Sequence, residues 1–159
     1  MQLRVGLGID VHQLAEGREL WLGGIRLQHS KGALGHSDAD VLLHAICDGI
    51  LGAANLRDIG HHFPDNNADF KGIDSKILLK KTIDLAASHG WRVVNVDTTL
   101  LLENPKIAPH IDAMKVAIAT ASGVGAECIS IKATTNESMG YVGRGEGIVA
   151  HAVVLLQKD

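Results

Sequence analysis

The rhythm of apolar and polar positions changes several times along the chain, and each rhythm predicts an element. The apolar run from Leu3 to Leu7 predicts the start of a buried strand that continues to Val11. Residues 19–28 read as two short β segments around Gly23-Gly24, a hairpin signal. From Ser37 the spacing turns helical, with Val41, Leu42, Ala45, Ile46, Gly49 and Ala53 as the apolar set. Ser37 followed by Asp40 resembles a capping box at that helix start. Residues 56–72 form a polar, glycine-containing loop. Leu78, Leu79, Ile83 and Ala86 place a second helix over residues 74–88, stopped by Gly90. A strand follows over 93–102. A third helix starts near Pro109, carries Ile111, Met114, Ile118 and Ala121 at helical spacing, and ends at Gly123. Residues 128–134 and 148–156 are two further strands. The order β, ββ, α, α, β, α, β, β predicts an α+β fold, an α/β sandwich in which a mixed β-sheet carries helices packed on one face. Neither a linker nor a repeat interrupts it, so one domain is expected over residues 1–159.

Composition narrows the function. With 46% hydrophobic and 21% charged residues, the chain is an ordinary folded protein. A net charge of −3 leaves no basic excess for neutralising a phosphate backbone, so no nucleic-acid partner is expected. Aromatic residues make up 3%, which requires an aliphatic core. The two cysteines, Cys47 and Cys128, form no CxxC pair and read as packed thiols. No apolar run reaches the roughly 18 residues of a membrane span, and the N-terminus lacks a signal-peptide layout. A cytoplasmic protein with no membrane partner is the expectation. Nine histidines are many for this length.

Four constellations can carry chemistry. Asp10 and His12 lie two apart on a strand and therefore face the same way, as a polar edge or as part of a metal site completed by His36 or His44. His36-Ser37 at a helix start suits phosphate, or is simply a cap with a solvated neighbour. The stretch from Asp58 through His61-His62 to Asn67 is long for a connection and reads as a binding loop or a solvated one. Lys132 to Glu137, followed by the glycine-rich 140–147, suits a nucleotide diphosphate with a divalent ion, since Glu137 is a hard oxygen ligand. The glycine run precedes a strand, so a dinucleotide-binding fold is not supported.

These motifs occur together and in order: Gly8-Ile-Asp-Val-His12, His36-Ser-Asp-Ala-Asp40 with His44, Asp58-Ile-Gly60, Phe63-Pro-Asp65, Pro105-Lys106, Lys132-Ala-Thr-Thr135 with Glu137, and Gly143-Arg-Gly-Glu-Gly147. The set resembles the 2-C-methyl-D-erythritol 2,4-cyclodiphosphate synthases of the non-mevalonate isoprenoid pathway, over essentially the whole chain. The resemblance implies a homotrimer with active sites between subunits. It implies Zn²⁺, or another divalent cation, on Asp10, His12 and His44. It further implies a second ion, Mg²⁺ or Mn²⁺, with Glu137 as a ligand.

The implied reaction is that of a metal-dependent, cyclising lyase. The 2-phosphate of 4-diphosphocytidyl-2-C-methyl-D-erythritol 2-phosphate attacks the β-phosphorus, CMP leaves, and an eight-membered cyclic diphosphate closes. His36 and Thr135 match positions that stabilise the transition state. Ser37, Asp58, Ile59, Gly60, Phe63, Pro64, Asp65, Asn66 and Asn67 match the methylerythritol phosphate side. Leu102, Glu103, Asn104, Pro105, Lys106, Ile107 and Ala108, with Ala133, Thr134 and Asn136, match the cytidine diphosphate side. Tyr141 and Arg144 lie where the family approaches its trimer axis, Arg144 pairing with Glu146 or binding an anion. Departures from the family pattern fall at Asn67, Glu103, Asn104, Asn136 and Tyr141. Two other readings stand beside this one: a non-catalytic trimeric metal- or nucleotide-binding protein, and a zinc-dependent phosphohydrolase.

Overall fold

A computed structural model describes residues 1–64, 66 and 70–159. The elements are β1 (Gln2–Glu16), β2 (Leu20–Leu22), β3 (Ile25–Leu27), β4 (Lys31–Ala33), α1 (Val41–Ala54), the single turn α2 (Ile59–His62), α3 (Ser75–Ser88), β5 (Arg92–Leu101), α4 (Ile111–Ser122), β6 (Ile129–Thr134), the single turn α5 (Gly140–Gly143) and β7 (Gly147–Lys158). The main sheet has the order β4-β1-β7-β5-β6. β1 runs antiparallel to β7 from Gln2↔Lys158 to Gln13↔Gly147. β5 is antiparallel to β7 and parallel to β6. The parallel pair needs a crossover, and α4 supplies it. The sheet is therefore mixed, and the α+β sandwich read from the pattern is the fold.

One face of β1 explains how the helices sit. Its inward positions are Gly6 and Gly8, both buried, followed by Asp10 and His12. A Cβ on Gly8 would stand 1.8 Å from the Ala45 carbonyl oxygen, and one on Gly6 1.9 Å from that of Gly49. Only glycine lets α1 lie so close to the strand. The reading of Leu3 to Leu7 as a buried run is overturned. Leu3, Val5, Leu7, Ile9 and Val11 all project from the opposite face and are exposed, Val5 at 68%. Period-two alternation sends them one way and the glycines the other.

The core beneath the sheet is aliphatic, with Leu42, Ile46, Ile50, Leu79, Leu100, Met114, Ile118 and Ile129 fully buried. The β2–β3 hairpin turns at Gly23 and Gly24, whose φ values of 61° and 81° suit a tight primed turn. Its amides also tie it to α1: Gly23 N–H and Gly24 N–H donate to the Asp40 carboxylate at 3.0 and 2.7 Å. Asp40 caps α1 with its third bond, accepted from Leu43 N–H at 3.1 Å.

That cap corrects the helix start. Ser37 is not the capping residue: its Oγ accepts from Ala39 N–H in a local turn, and the helix begins at Val41. β4 had no periodicity to betray it, being only Lys31–Ala33. Cys47 is packed as read, whereas Cys128 lies in a half-buried turn before β6. Among the described residues no helix is long and apolar enough to cross a membrane.

Candidate active site

Strand β1 and helix α1 bring three side chains together. Asp10 and His12 share a face of β1, and His44 on the first turn of α1 meets them. One potential ligand atom from each lies within 4.8 Å of the other two. Asp10 Oδ2 stands 3.0 Å from His12 Nδ1 and 3.2 Å from His44 Nδ1. Yet Asp10 Oδ2 and His12 Nδ1 are both buried without a hydrogen-bond partner. The groups are close but not aligned as donor and acceptor, the arrangement expected of ligands turned toward a third group. Two imidazoles and one carboxylate suit a borderline-soft divalent cation, so the residues fit one.

The charges agree. Burial pushes the Asp10 carboxyl up, but the imidazoles of His12 and His44 outweigh it and hold the group well below the usual carboxylate range. Burial disfavours a charged His44, and the Asp10 carboxylate overcomes it and raises the imidazole.

A cavity of about 340 Å³ opens beside this cluster, lined by Asp10, His12 and His44 together with His36, Ser37, Ile59, Gly60 and Phe63. His36 and Ser37 reach it from the turn ahead of α1, not from a helix N-terminus. Asp58 faces elsewhere: it caps the α2 turn by accepting from His61 N–H at 2.9 Å. Ile59 N–H donates to Asp48 on α1 at 2.7 Å, which anchors that turn over the cavity. His62 bonds the Leu56 carbonyl at 2.7 Å, a structural contact. Phe63 and Phe70 meet edge to face, their centroids 5.5 Å apart. Phe70, Ile73 and Leu78 complete an apolar wall that the motif reading missed. Only the aromatic and aliphatic spacing after the loop hinted at it. Pro64 and Asn66 do not line the cavity, and Asp65 and Asn67 lie outside the described residues.

A second cavity, of about 220 Å³, is lined by Leu102, Pro105, Lys106, Ile107, Ala108 and Ala133 to Thr135. Glu103 is not among its walls. Its carboxylate accepts from Asn136 N–H at 2.8 Å and Ser138 N–H at 3.3 Å, and so braces the loop after β6. In that loop Glu137 and Ser138 hold left-handed φ values of 52° and 62°. Thr135 Oγ1 donates to Glu137 Oε1 at 3.2 Å. Asn104 is exposed and lines neither cavity, and Asn136 uses its backbone on Glu103 and Met139.

Cross-strand register relates the two cavities. Asp10 pairs with Ala150, Ala150 with Leu100, and Leu100 with Ala133, so all four lie in one row across the sheet. β1 and β6 are three strand spacings apart, about 14 Å. One chain therefore does not bring Glu137 into the Asp10 cluster. Tyr141 lines an adjoining hollow with Val11, His12, Gln13 and Glu146, on the β1 residues that also edge the first cavity. Arg144 forms an exposed two-pronged pair with Glu146, at 2.9 and 3.0 Å.

Comparison with known proteins identifies the family. The sequence pattern of the YgbB family matches residues 3–157. The 2-C-methyl-D-erythritol 2,4-cyclodiphosphate synthase of Bacteroides thetaiotaomicron is 64% identical over all 159 residues, covering 100% of both chains. A solved structure of such a synthase in a CDP-bound form is 34% identical, with a TM-score of 0.89 over 97% of this chain and 100% of that one. The bifunctional IspDF of Campylobacter jejuni is 37% identical with a TM-score of 0.95; the match covers 99% of this chain and 43% of that longer one. The chain belongs to the YgbB family, the family of the 2-C-methyl-D-erythritol 2,4-cyclodiphosphate synthases.

Proposed function

We propose that this protein converts 4-diphosphocytidyl-2-C-methyl-D-erythritol 2-phosphate into 2-C-methyl-D-erythritol 2,4-cyclodiphosphate and CMP, as a cyclising phosphorus–oxygen lyase of the non-mevalonate isoprenoid pathway. The observation that carries the reading is the Asp10, His12 and His44 cluster, opening on a cavity, in a chain of this family. The names of its relatives and the CDP held by a related structure support the substrate class.

The nucleophile is a phosphate oxygen already ionised at neutral pH, so the protein need supply no strong base. What opposes reaction is repulsion between anions and the entropy of ring closure, and positioning lowers both. Well-oriented intramolecular reactions reach effective molarities of about 10⁵ M or more. Asp10, His12 and His44 would hold Zn²⁺ or another divalent cation. When bound, it supplies Lewis-acid polarisation of a phosphoryl oxygen and screens the two phosphates from each other. Glu137, beside the Thr135 hydroxyl, would help hold Mg²⁺ or Mn²⁺. His36 and Thr135 donate hydrogen bonds to the charge that develops at phosphorus. Ser37, Ile59, Gly60 and the wall of Phe63 and Phe70 would enclose the methylerythritol phosphate and exclude water. The pocket around Lys106 and Ala133 takes the cytidine diphosphate.

The working unit in this reading is a homotrimer with sites between subunits. The row of exposed apolar side chains along β1 supports it, being an unusual load for a free sheet face. The separation of the two half-sites within one chain supports it too. Tyr141 and Arg144 then lie toward the shared axis. A single domain and a cytoplasmic location, with no nucleic-acid or membrane partner, belong to the same reading.

Incubation with the diphosphocytidyl substrate, followed by chromatography for CMP, tests the function. CMP release equal to substrate consumed, stopped by a chelator and restored by added divalent cation, is expected. Release of no CMP would overturn the proposal.

A further inference from the structure

A chain of hydrogen bonds runs behind the cation ligands, through two residues to which the motif reading assigned no role. It starts at His44. With Nδ1 turned toward Asp10, the opposite ring nitrogen, Nε2, lies 2.9 Å from Ser75 Oγ and 3.1 Å from Ser37 Oγ. Ser75 is the first residue of α3 and is fully buried. Its hydroxyl donates to Asp38 Oδ1, and its backbone N–H donates to Asp38 Oδ2 at 2.9 Å. Asp38 is fixed in turn: its Oδ1 accepts from Asp40 N–H at 3.2 Å and its own N–H donates to the Ile73 carbonyl at 3.1 Å.

Counting protons along this chain decides the state of His44. Ser75 has one hydroxyl proton, and a carboxylate is the stronger acceptor for it. With that proton spent on Asp38, Ser75 Oγ can only accept from the ring. Ser75 therefore selects a hydrogen on Nε2; a bare Nε2 would face an oxygen lone pair at 2.9 Å. In the neutral ring this leaves the Nδ1 lone pair for the cation site, where a bound cation, in place of a ring hydrogen, would answer the Asp10 carboxylate 3.2 Å away. Ser37 would permit the opposite state. Its Oγ accepts from Ala39 N–H and still has a proton to give to a bare Nε2. The neutral ring would then carry its hydrogen on Nδ1, pointed into the place a cation must occupy.

We propose that Asp38 and Ser75 are positioning residues for the reaction: they lock the His44 ring with Nε2 as donor and Nδ1 presented to the cation. The inference rests on the cation-site reading above. It gives the His36-Ser-Asp-Ala-Asp40 stretch a division of labour in which His36 faces the cavity, Asp38 orients His44 through Ser75, and Asp40 binds the hairpin and caps α1. Carboxylate partners behind metal-bound imidazoles fix ring orientation in this way, and their loss weakens metal affinity by about 10–100-fold.

The test compares wild type with Ser75→Ala, Asp38→Asn and His44→Ala, each as the full chain. Zn²⁺ affinity is measured by competition with a chromogenic chelator. Thermal melting of the metal-free proteins and ¹⁵N spectra of the His44 ring are recorded alongside. Ser75→Ala keeps the backbone bond to Asp38, so its metal-free melting point should stay within about 2–4 °C of wild type, equivalent to about 1 kcal/mol. Its Zn²⁺ affinity should fall by about 10–100-fold, and its ring spectrum should move from the Nε2–H form toward the Nδ1–H form. Asp38→Asn should weaken Zn²⁺ in the same direction, and it decides the matter if Ser75→Ala does not fold. Zn²⁺ affinity within about twofold of wild type in the folded variant, with an unchanged ring spectrum, overturns the inference while leaving the cation site standing. Wild type that binds no stoichiometric Zn²⁺, or His44→Ala that binds it as tightly, overturns the cation-site reading and this inference with it.

Discussion

Replacing Gly8 by alanine tests whether strand–helix contact builds the proposed cation site. The added Cβ would stand 1.8 Å from the Ala45 carbonyl oxygen and 2.6 Å from the Gly49 backbone nitrogen. Both are backbone atoms of α1, so no side-chain rotation relieves the clash. Protein Cβ contacts closer than 3.0 Å are essentially never seen, so α1 must retreat from β1 by roughly 1.2 Å at this point. Ala45 adjoins His44, and metal ligands tolerate displacements of only about 0.2 Å. The retreat therefore carries His44 out of ligand range of Asp10 and His12. Overpacking of this kind costs about 1–3 kcal/mol. For a chain of this length that lowers the melting midpoint by about 2–12 °C. A misplacement near 1 Å at reacting groups costs about a hundredfold in rate. Calorimetry of the metal-free protein, chelator competition for Zn²⁺ and the rate of CMP release measure the three effects. A Gly8→Ala protein that melts normally, binds Zn²⁺ normally and turns over normally would refute the claim that this close approach places His44.

Other perturbations separate the remaining parts. Glu137→Gln should raise the Mg²⁺ concentration needed for half-maximal rate several-fold while leaving Zn²⁺ content unchanged; an unaltered Mg²⁺ titration would count against its role. Asp40→Asn leaves one oxygen to serve three backbone donors and turns an amide nitrogen toward at least one of them. Buried donors left unpaired cost about 1–3 kcal/mol each, so urea denaturation should show a loss of about 2–4 kcal/mol; a shift below 1 kcal/mol would contradict the cap-and-hairpin assignment. Burial pushes the Cys47 thiol from its ordinary 9.0 up to about 12. Its neutral form is favoured in the folded state, so its contribution to stability is complete below pH 9 and is lost as pH rises through about 12. A thiol reagent at pH 8 should accordingly label Cys128 alone in the native protein and both cysteines after denaturation; two fast thiols in the native state would refute the burial of Cys47.

The parts legible in the sequence were those that depend on spacing. Period two placed Asp10 and His12 on one face of a strand, and period 3.6 placed His44 on a helix, although neither could say that the two elements touch. Contact depended on Gly6 and Gly8, whose role is an absence of side chain and which carry no hydrophobic signal. The same blindness reversed the reading of β1, because Leu3, Val5, Leu7, Ile9 and Val11 were apolar while the buried positions between them were Gly6 and Gly8. Ser37 looked like a cap because hydroxyl residues often are, but Asp40 outcompetes it with two oxygens and three amide donors. Ser75 was invisible as a partner of His44, being 31 residues distant and the first residue of its helix. Glu103 stood out only as a charged departure in a neutral stretch, and the structure turns it into the brace of the Asn136–Ser138 loop.

Ring closure, not attack by water, is the outcome proposed for this site. Phosphorus NMR of the purified protein with the diphosphocytidyl substrate and Mg²⁺ reads the outcome directly. Ring closure gives CMP together with a pair of mutually coupled diphosphate signals from the cyclic product. CMP accompanied by only linear phosphate esters would identify a hydrolase and contradict it.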